Sequence, residues 1–387
     1  MSVFYQEKSA IPIAGEYDLI VVGGGVAGVA AALAARRMGL QTLLVEKSVI
    51  LGGLATLGHI VIYLPLCDGQ GRQVIGGIAE ELLQLSIKYG YDDLAKQKRY
   101  RTTFNAPAFV LALDELMVDA GVDLLFDTVF SRPVMDDGSC QGIIVENKSG
   151  RQLYTCRTII DTTGDADVMA RAGAECVEGD NWLTFWGYHS DLDVMQKAVE
   201  TGDVMQAVGL LRCGAGPAGQ GAESRKYSGV DARDVTEFVL AGRRMAKEFV
   251  KKKDKKQYSL LALPGMAQFR TTRRITGFYE LTSADVFARF EDSVGCVGDW
   301  RKAGPIYEIP YRTLIAPGLK NMLTAGRTIA AKDDAWEVTR VIPVAALTGQ
   351  AAGTAAALAL ESGEDVAQID IQKLQTFLED TGVLIHI

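Results

Sequence analysis

Gly23, Gly25 and Gly28 stand in "GGGVAG" at the G-x-G-x-x-G spacing that lets a backbone approach a pyrophosphate. "GAGPAG" at residues 214–219 has the same spacing, so the glycines alone leave open whether one dinucleotide is bound or two. The chain has 3 histidines; His59 is a candidate for proton exchange near neutral pH, for a substrate contact or for a covalent tether. Arg273 and Arg274 in "FRTTRRITGFYELT" carry planar guanidinium groups, which bind a carboxylate or hydroxyl, or close a structural ion pair. Asp165 and Asp167 in "TTGDADV" are spaced like a metal pair, but Asp165 precedes a helical run and reads as its N-cap. No metal is expected. The 6 cysteines include no C-x-x-C, which disfavours a zinc site and a redox disulfide of that spacing, and Cys67 reads as a buried, inert thiol.

The elements around each glycine run decide what it can hold. "YDLIVVGGGVAGVAAALAARRMGLQTLLVEK" (17–47) reads as a buried strand, a helix rich in helix formers, and a second strand ending in Glu46. That is a complete βαβ unit. Gly23 permits the tight turn, Gly25 lets the backbone reach the pyrophosphate, and Gly28 lets helix and strand pack closely. The helix N-terminus supplies N–H donors and partial positive charge to the phosphates. Glu46 is placed to accept bonds from ribose hydroxyls. "GAGPAG" has no such frame: the residues before it read as helical, and "QGAESRKYSGV" after it has no apolar face. It reads as a loop, and one dinucleotide is expected.

Beyond Glu46, "KSVILGGLATLG" places a glycine pair just past the second strand. Here the chain resembles the FAD-dependent oxidoreductases of the glutathione-reductase-like superfamily, which include the fumarate reductase flavoproteins. Three further segments carry the resemblance in the expected order. "GVDLLFDTVFSRPVMDDGSCQGIIVENKSGRQLYTCRTIIDTTGDADVMARAGA" reads as a strand, a three-stranded meander turning at "DDGS", and a return strand ending in "TTG"; the other two are "GLKNMLTAGRT" and "RVIPVAALTGQAAGTAAALAL". The resemblance implies FAD, with Gly23, Gly25, Val26, Ala27, Gly28, Gly52, Gly53 and Thr56 along its pyrophosphate. It implies Glu46 and Lys47 at the adenosine ribose, Val129 over the adenine, and Thr163, Gly164 and Asp165 closing the nucleotide pocket. Gly326 and Arg327 would reach the ribityl chain. The last helix would aim the backbone of Val341 and Ile342 at the flavin pyrimidine ring, where uncapped N–H groups and the positive dipole end stabilise negative charge.

The same resemblance brings His59 towards the flavin and gives Arg274 a counterpart in relatives, and Arg340 aligns with a family arginine. One departure stands out. After the "AGR" turn relatives often have histidines, where this chain reads "AAKDDAWEVTR"; Asp334 is the carboxylate there that could take a proton from an alcohol.

The expected fold is α/β: a Rossmann-like FAD-binding domain (parallel sheet plus three-stranded β-meander) with an inserted α+β substrate or cap domain. The FAD domain would comprise residues 16–60, 105–175 and 311–387, and the cap 61–104 and 176–310. Hydrophobic content of 48% over 387 residues suits a large core, and the net charge of −8 argues against a nucleic-acid surface. "KKKDKK" at 251–256 reads as a solvated helix end. The Ala-rich 343–360 stretch, broken by Thr348, Gly349, Gln350 and Gly353, reads as a packed helix and not as a membrane span. A cytoplasmic flavoprotein without membrane or nucleic-acid partners is expected, with homo-oligomerisation left open. Its expected reaction is hydride transfer between a small hydroxylated or unsaturated molecule and flavin N5. The alternatives are an electron-relay subunit of a larger redox complex and a flavin-dependent RNA-modifying enzyme.

Overall fold

The apolar run Leu19–Val22 is the buried inner end of strand β1 (Ile13–Val22). In a computed structural model that describes residues 7–64, 66–88, 102–214 and 225–387, it leads through the three glycines into helix α1 (Val26–Arg37) and strand β2 (Thr42–Val45). β1 and β2 run parallel, with Leu19 beside Thr42 and Val22 beside Val45. Asp123–Leu125 extends the sheet on the far side of β2, again in parallel. On the other side of β1 lies the long strand Gly150–Asp161.

That long strand does two jobs. Its first half pairs antiparallel with Ser139–Asn147, which pairs with Val129–Asp136, making the meander. Its second half is parallel to β1 on one edge and to Met322–Thr324 on the other. The third meander strand and the return strand are therefore one continuous element. The hairpin turns at Asp137 and Gly138, both with positive φ (41° and 77°), as an Asp-Gly hairpin requires.

The closing helix, Ile342–Ser362, packs along α1 through small residues. A Cβ on Gly349 would lie 2.2 Å from the Ala27 carbonyl oxygen, and one on Gly353 would lie 2.2 Å from that of Ala31. The helix is long and apolar enough to cross a membrane, yet 94% of its apolar window is buried inside the protein. Its hydrophobicity serves the core. Gly349→Ala is expected to force the two helices apart at a cost of about 1–3 kcal/mol. The check is urea unfolding, where an unchanged midpoint would show that the helices can part freely.

Residues between these segments build smaller sheets. Thr184–Asp191 lies between Gly209–Gly214 and Tyr258–Ala262, antiparallel to both, and helix Ala232–Val250 packs on it through Gly242 and Ala246 against Phe185. That helix runs out into the exposed "KKKDKK" segment. The structure corrects one expectation here: the residues directly before "GAGPAG" form a strand, not a helix. Its edge pairing to Thr184–Asp191 could not be read from local periodicity. Gly214 ends that strand, and residues 215–219 lie outside the described residues. Among the described residues the next helix starts at Ala232, capped by Asp231.

Candidate active site

The three glycines of the first loop meet three different constraints. Gly23 has φ 106°, and a Cβ there would be 2.5 Å from the Thr162 carbonyl oxygen. Gly28 is closed by backbone, since its Cβ would sit 1.9 Å from the Gly23 carbonyl oxygen. Gly25 differs: its backbone is extended (φ −65°, ψ 177°), and a Cβ would meet nothing within 4 Å. Protein packing does not require glycine there. The open space in front of Gly25, at the uncapped N-terminus of α1 beside Val26 and Ala27, is a cradle of the kind a pyrophosphate fills.

The glycine pair lies against this loop. Gly52 N–H donates to the Gly24 carbonyl oxygen at 2.8 Å, and a Cβ on Gly53 would be 3.1 Å from Gly25 Cα. Glu46 is buried and fixed by two backbone amides, Gly24 N–H at 2.7 Å and Ser48 N–H at 2.7 Å. Each of its oxygens keeps a lone pair for a ribose hydroxyl. Lys47 is exposed, and Val129 is 52% exposed at the start of its strand. Thr56 spends its hydroxyl on the Leu51 carbonyl oxygen at 2.5 Å, so it shapes the loop from behind.

The "TTG" turn is organised by a residue that the sequence did not single out. Asp161 is fully buried and accepts bonds from Thr163 N–H and Oγ1, Val168 N–H and Met169 N–H. Burial pushes its carboxyl pKa up while these donors pull it back. Asp161, not Asp165, supplies the carboxylate for the first amides of the short helix Asp167–Arg171. The residue at the cap itself is Ala166, in the left-handed region. Asp165 turns away to accept from Thr272 Oγ1 at 2.7 Å and Arg327 Nη2 at 2.6 Å. Arg327 also donates to the Gly164 and Phe269 carbonyl oxygens. It clamps the "TTG" and "AGR" turns together, with its guanidinium spent on protein. Gly326, with φ 83°, lies between the first turns of α1 and the closing helix; its Cβ would be 3.1 Å from Ala27 Cβ and 3.9 Å from Ala345 Cβ. Val341 caps that helix without a side-chain bond, leaving the N–H of Ile342 free of a capping group.

The three expected catalytic residues are placed very differently. Arg274 is buried and pairs with Glu280 at 2.8 Å, its guanidinium carbon 5.5 Å from the Trp336 ring centroid. This ion pair meets its charge through Nη1, while its buried Nε bonds nothing among the described residues. Asp334 is a correction: its side chain is 56% exposed and pairs with Arg301 at 2.7 Å, which holds its pKa below the ordinary range. An exposed carboxylate satisfied in this way is a poor general base. His59 sits in the left-handed region (φ 56°) with Nδ1 buried and unbonded. Its ring lies 4.5 Å from that of Tyr188, and burial lowers its pKa.

Tyr188 and Trp186 share one face of the strand Thr184–Asp191, as an i, i+2 pair must. Gln268 ties this strand to the His59 loop: its Nε2 donates to the Gly58 carbonyl at 2.6 Å and its Oε1 accepts from Trp186 N–H at 2.7 Å. Arg270 follows, its guanidinium carbon 5.8 Å from the Trp186 ring centroid. Burial, and the like charges of Arg340 and Arg327, push its pKa down to about 9. The group is still a cation at neutral pH. Arg340 pairs with Glu337 immediately before the closing helix. The sequence signal for Arg270 was faint, one of three arginines within five residues. Gln268 also lines a cavity of about 160 Å³ together with Phe185, Phe238, Arg243 and Met266.

Comparison with known proteins agrees with this architecture. The family model described as FAD dependent oxidoreductase matches residues 18–187 and 218–378. The chain belongs to that family: it is an oxidoreductase whose cofactor is FAD. The tRNA uridine 5-carboxymethylaminomethyl modification enzyme of Bacillus thuringiensis (strain Al Hakam) is 29% identical over 165 residues, 39% of this chain but only 24% of that protein. The chain thus aligns with about a quarter of the length of that relative. Among solved structures, adenylylsulfate reductase from Archaeoglobus fulgidus superposes with a TM-score of 0.52 at 13% identity, covering 98% of this chain and 76% of that one. A geranylgeranyl bacteriochlorophyll reductase-like protein from Thermoplasma acidophilum gives 0.50 at 13% identity, covering 95% and 84%. At such identities the likeness is one of fold.

Proposed function

We propose that this oxidoreductase moves a hydride between a carbon atom of a small organic substrate, hydroxylated or unsaturated, and its FAD, with His59 exchanging the proton. The observation that carries this reading is the buried, unbonded Nδ1 of His59, held in a left-handed backbone at the end of the glycine-pair segment. When bound, FAD supplies the two-electron chemistry at flavin N5. Gly23, Gly25, Gly28, Gly52, Gly53 and Glu46 would hold its nucleotide and pyrophosphate. The uncapped N–H of Ile342 would stabilise negative charge on it. The rest is the work of side chains. Lowered by burial, the His59 pKa leaves the ring neutral at pH 7, ready to accept a proton from a substrate hydroxyl. Tyr188 packs on the ring and Gln268 fixes its loop, which limits the ring's freedom to leave that position.

The test is anaerobic bleaching of the bound flavin by a panel of alcohols and hydroxy acids. The reverse direction uses dithionite-reduced protein and unsaturated acceptors. One small molecule is expected to bleach or reoxidise the flavin within seconds, with no second protein present. If only a protein electron carrier reoxidises it, the relay-subunit reading replaces this one, and if only tRNA-dependent turnover is found, the RNA-modifying reading does.

A further inference from the structure

Three arginines converge beside the start of the closing helix, and two of them are neutralised. Arg327 is paired with Asp165 and Arg340 with Glu337. Arg270 makes no salt bridge among the described residues, and only Glu337, already paired with Arg340, attracts it at longer range; its one side-chain hydrogen bond there is from Nη1 to the Gln268 carbonyl oxygen at 2.6 Å. Arg274, four residues on, shows the contrast, because its charge is met by Glu280.

The position of Arg270 is built. Asn181, buried, accepts from the backbone N–H of Arg270 at 2.7 Å and Thr271 at 2.9 Å, and donates to the Thr271 and Tyr227 carbonyl oxygens. Both polar ends of Asn181 are spent on holding this stretch. Trp186 supports the guanidinium from the side, with Arg212 at 4.6 Å from the same ring. Gln268 then links the segment to Gly58, next to His59.

An unpaired cation in a mostly buried place, facing two like charges, is costly unless something compensates it. We infer that Arg270 anchors a carboxylate group of the substrate, so that the molecule acted on is an organic acid. The inference rests on the proposed function, since it places the acid group beside the His59 wall. The free Nε–Nη2 edge is the planar fork that matches two carboxylate oxygens in parallel bonds. A single fork suits a monoanion, since Arg327 and Arg340 beside it are already paired.

The experiment titrates the FAD-loaded protein with benzoate and acetate, and with benzamide and acetamide as neutral matches, by calorimetry and by the visible flavin spectrum. Carboxylates are expected to bind and the amides not. Arg270→Met is expected to weaken carboxylate binding roughly 10- to 150-fold with FAD content unchanged, the range for one lost charge-assisted pair. Arg270→Lys, which keeps the charge and loses the fork, is expected to fall in between. Equal affinity of the wild type for benzoate and benzamide would overturn the inference, and this holds even if the variants fail to fold. So would wild-type affinity in Arg270→Met, or inorganic phosphate binding more tightly than either carboxylate. Carboxylate binding that depends on Arg270 but leaves the flavin spectrum unmoved would support the anchor and count against the reading of His59, which separates the two.

Discussion

A Gly25→Val variant is expected to fold and to retain no FAD. Valine accepts the extended backbone found at Gly25, and its Cβ would point into space clear of protein atoms for 4 Å. The apoprotein therefore loses little, while the pyrophosphate loses its closest approach to the α1 N-terminus. Gly28→Val is expected to behave in the opposite way. Its Cβ would be driven to 1.9 Å from a backbone oxygen and 2.8 Å from Thr162 Oγ1, neither of which belongs to a flexible side chain end. That protein should not fold. The measurements are flavin absorbance per chain and circular dichroism on both variants. Normal FAD occupancy in a folded Gly25→Val protein would remove the cradle from the cofactor site.

His59→Asn is expected to slow substrate-driven flavin reduction by roughly 10²- to 10⁴-fold, the usual worth of a positioned acid–base group, with FAD content preserved. Asparagine tolerates the left-handed backbone at this position better than most residues and cannot titrate. The pH profile gives the second readout. Because burial lowers the His59 pKa, the imidazole stays neutral to more acid pH than a free histidine. Oxidation of a hydroxyl substrate should hold steady through neutrality and fall only on the acid side of an ordinary histidine's value of about 6.5. In His59→Asn that limb should flatten. A wild-type limb unchanged in the variant would assign the proton to another group.

Much of the nucleotide-binding half was legible because its signals are local. The βαβ unit shows itself in an apolar run, a glycine turn, a helix and a second run within about thirty residues, and the meander turn shows itself in Asp137–Gly138. What failed was long-range pairing. Asp334 was a chemical candidate until Arg301 was seen beside it, and Asp165 a helix cap until Arg327 and Thr272 claimed it. Arg270 and Arg274 are the same residue type in the same stretch. Only the salt bridge from Glu280 to one, and the lack of any salt bridge to the other among the described residues, tells them apart. The strand Gly209–Gly214 was missed for a related reason: an edge strand is defined by its neighbour, which here begins well upstream at Thr184.

The close seating of the closing helix on α1 has a consequence for the order of events during synthesis. Gly349 and Gly353 press against backbone at Ala27 and Ala31, so α1 is completed by a helix translated long after it. Until that helix leaves the ribosome, α1 has no partner for its small-residue face, and the N-terminal βαβ unit must wait with apolar surface uncovered. Contacts of this sequence separation form slowly. Capture of the cofactor is thus a late step, and the yellow colour of the protein reports that α1 and the closing helix have met.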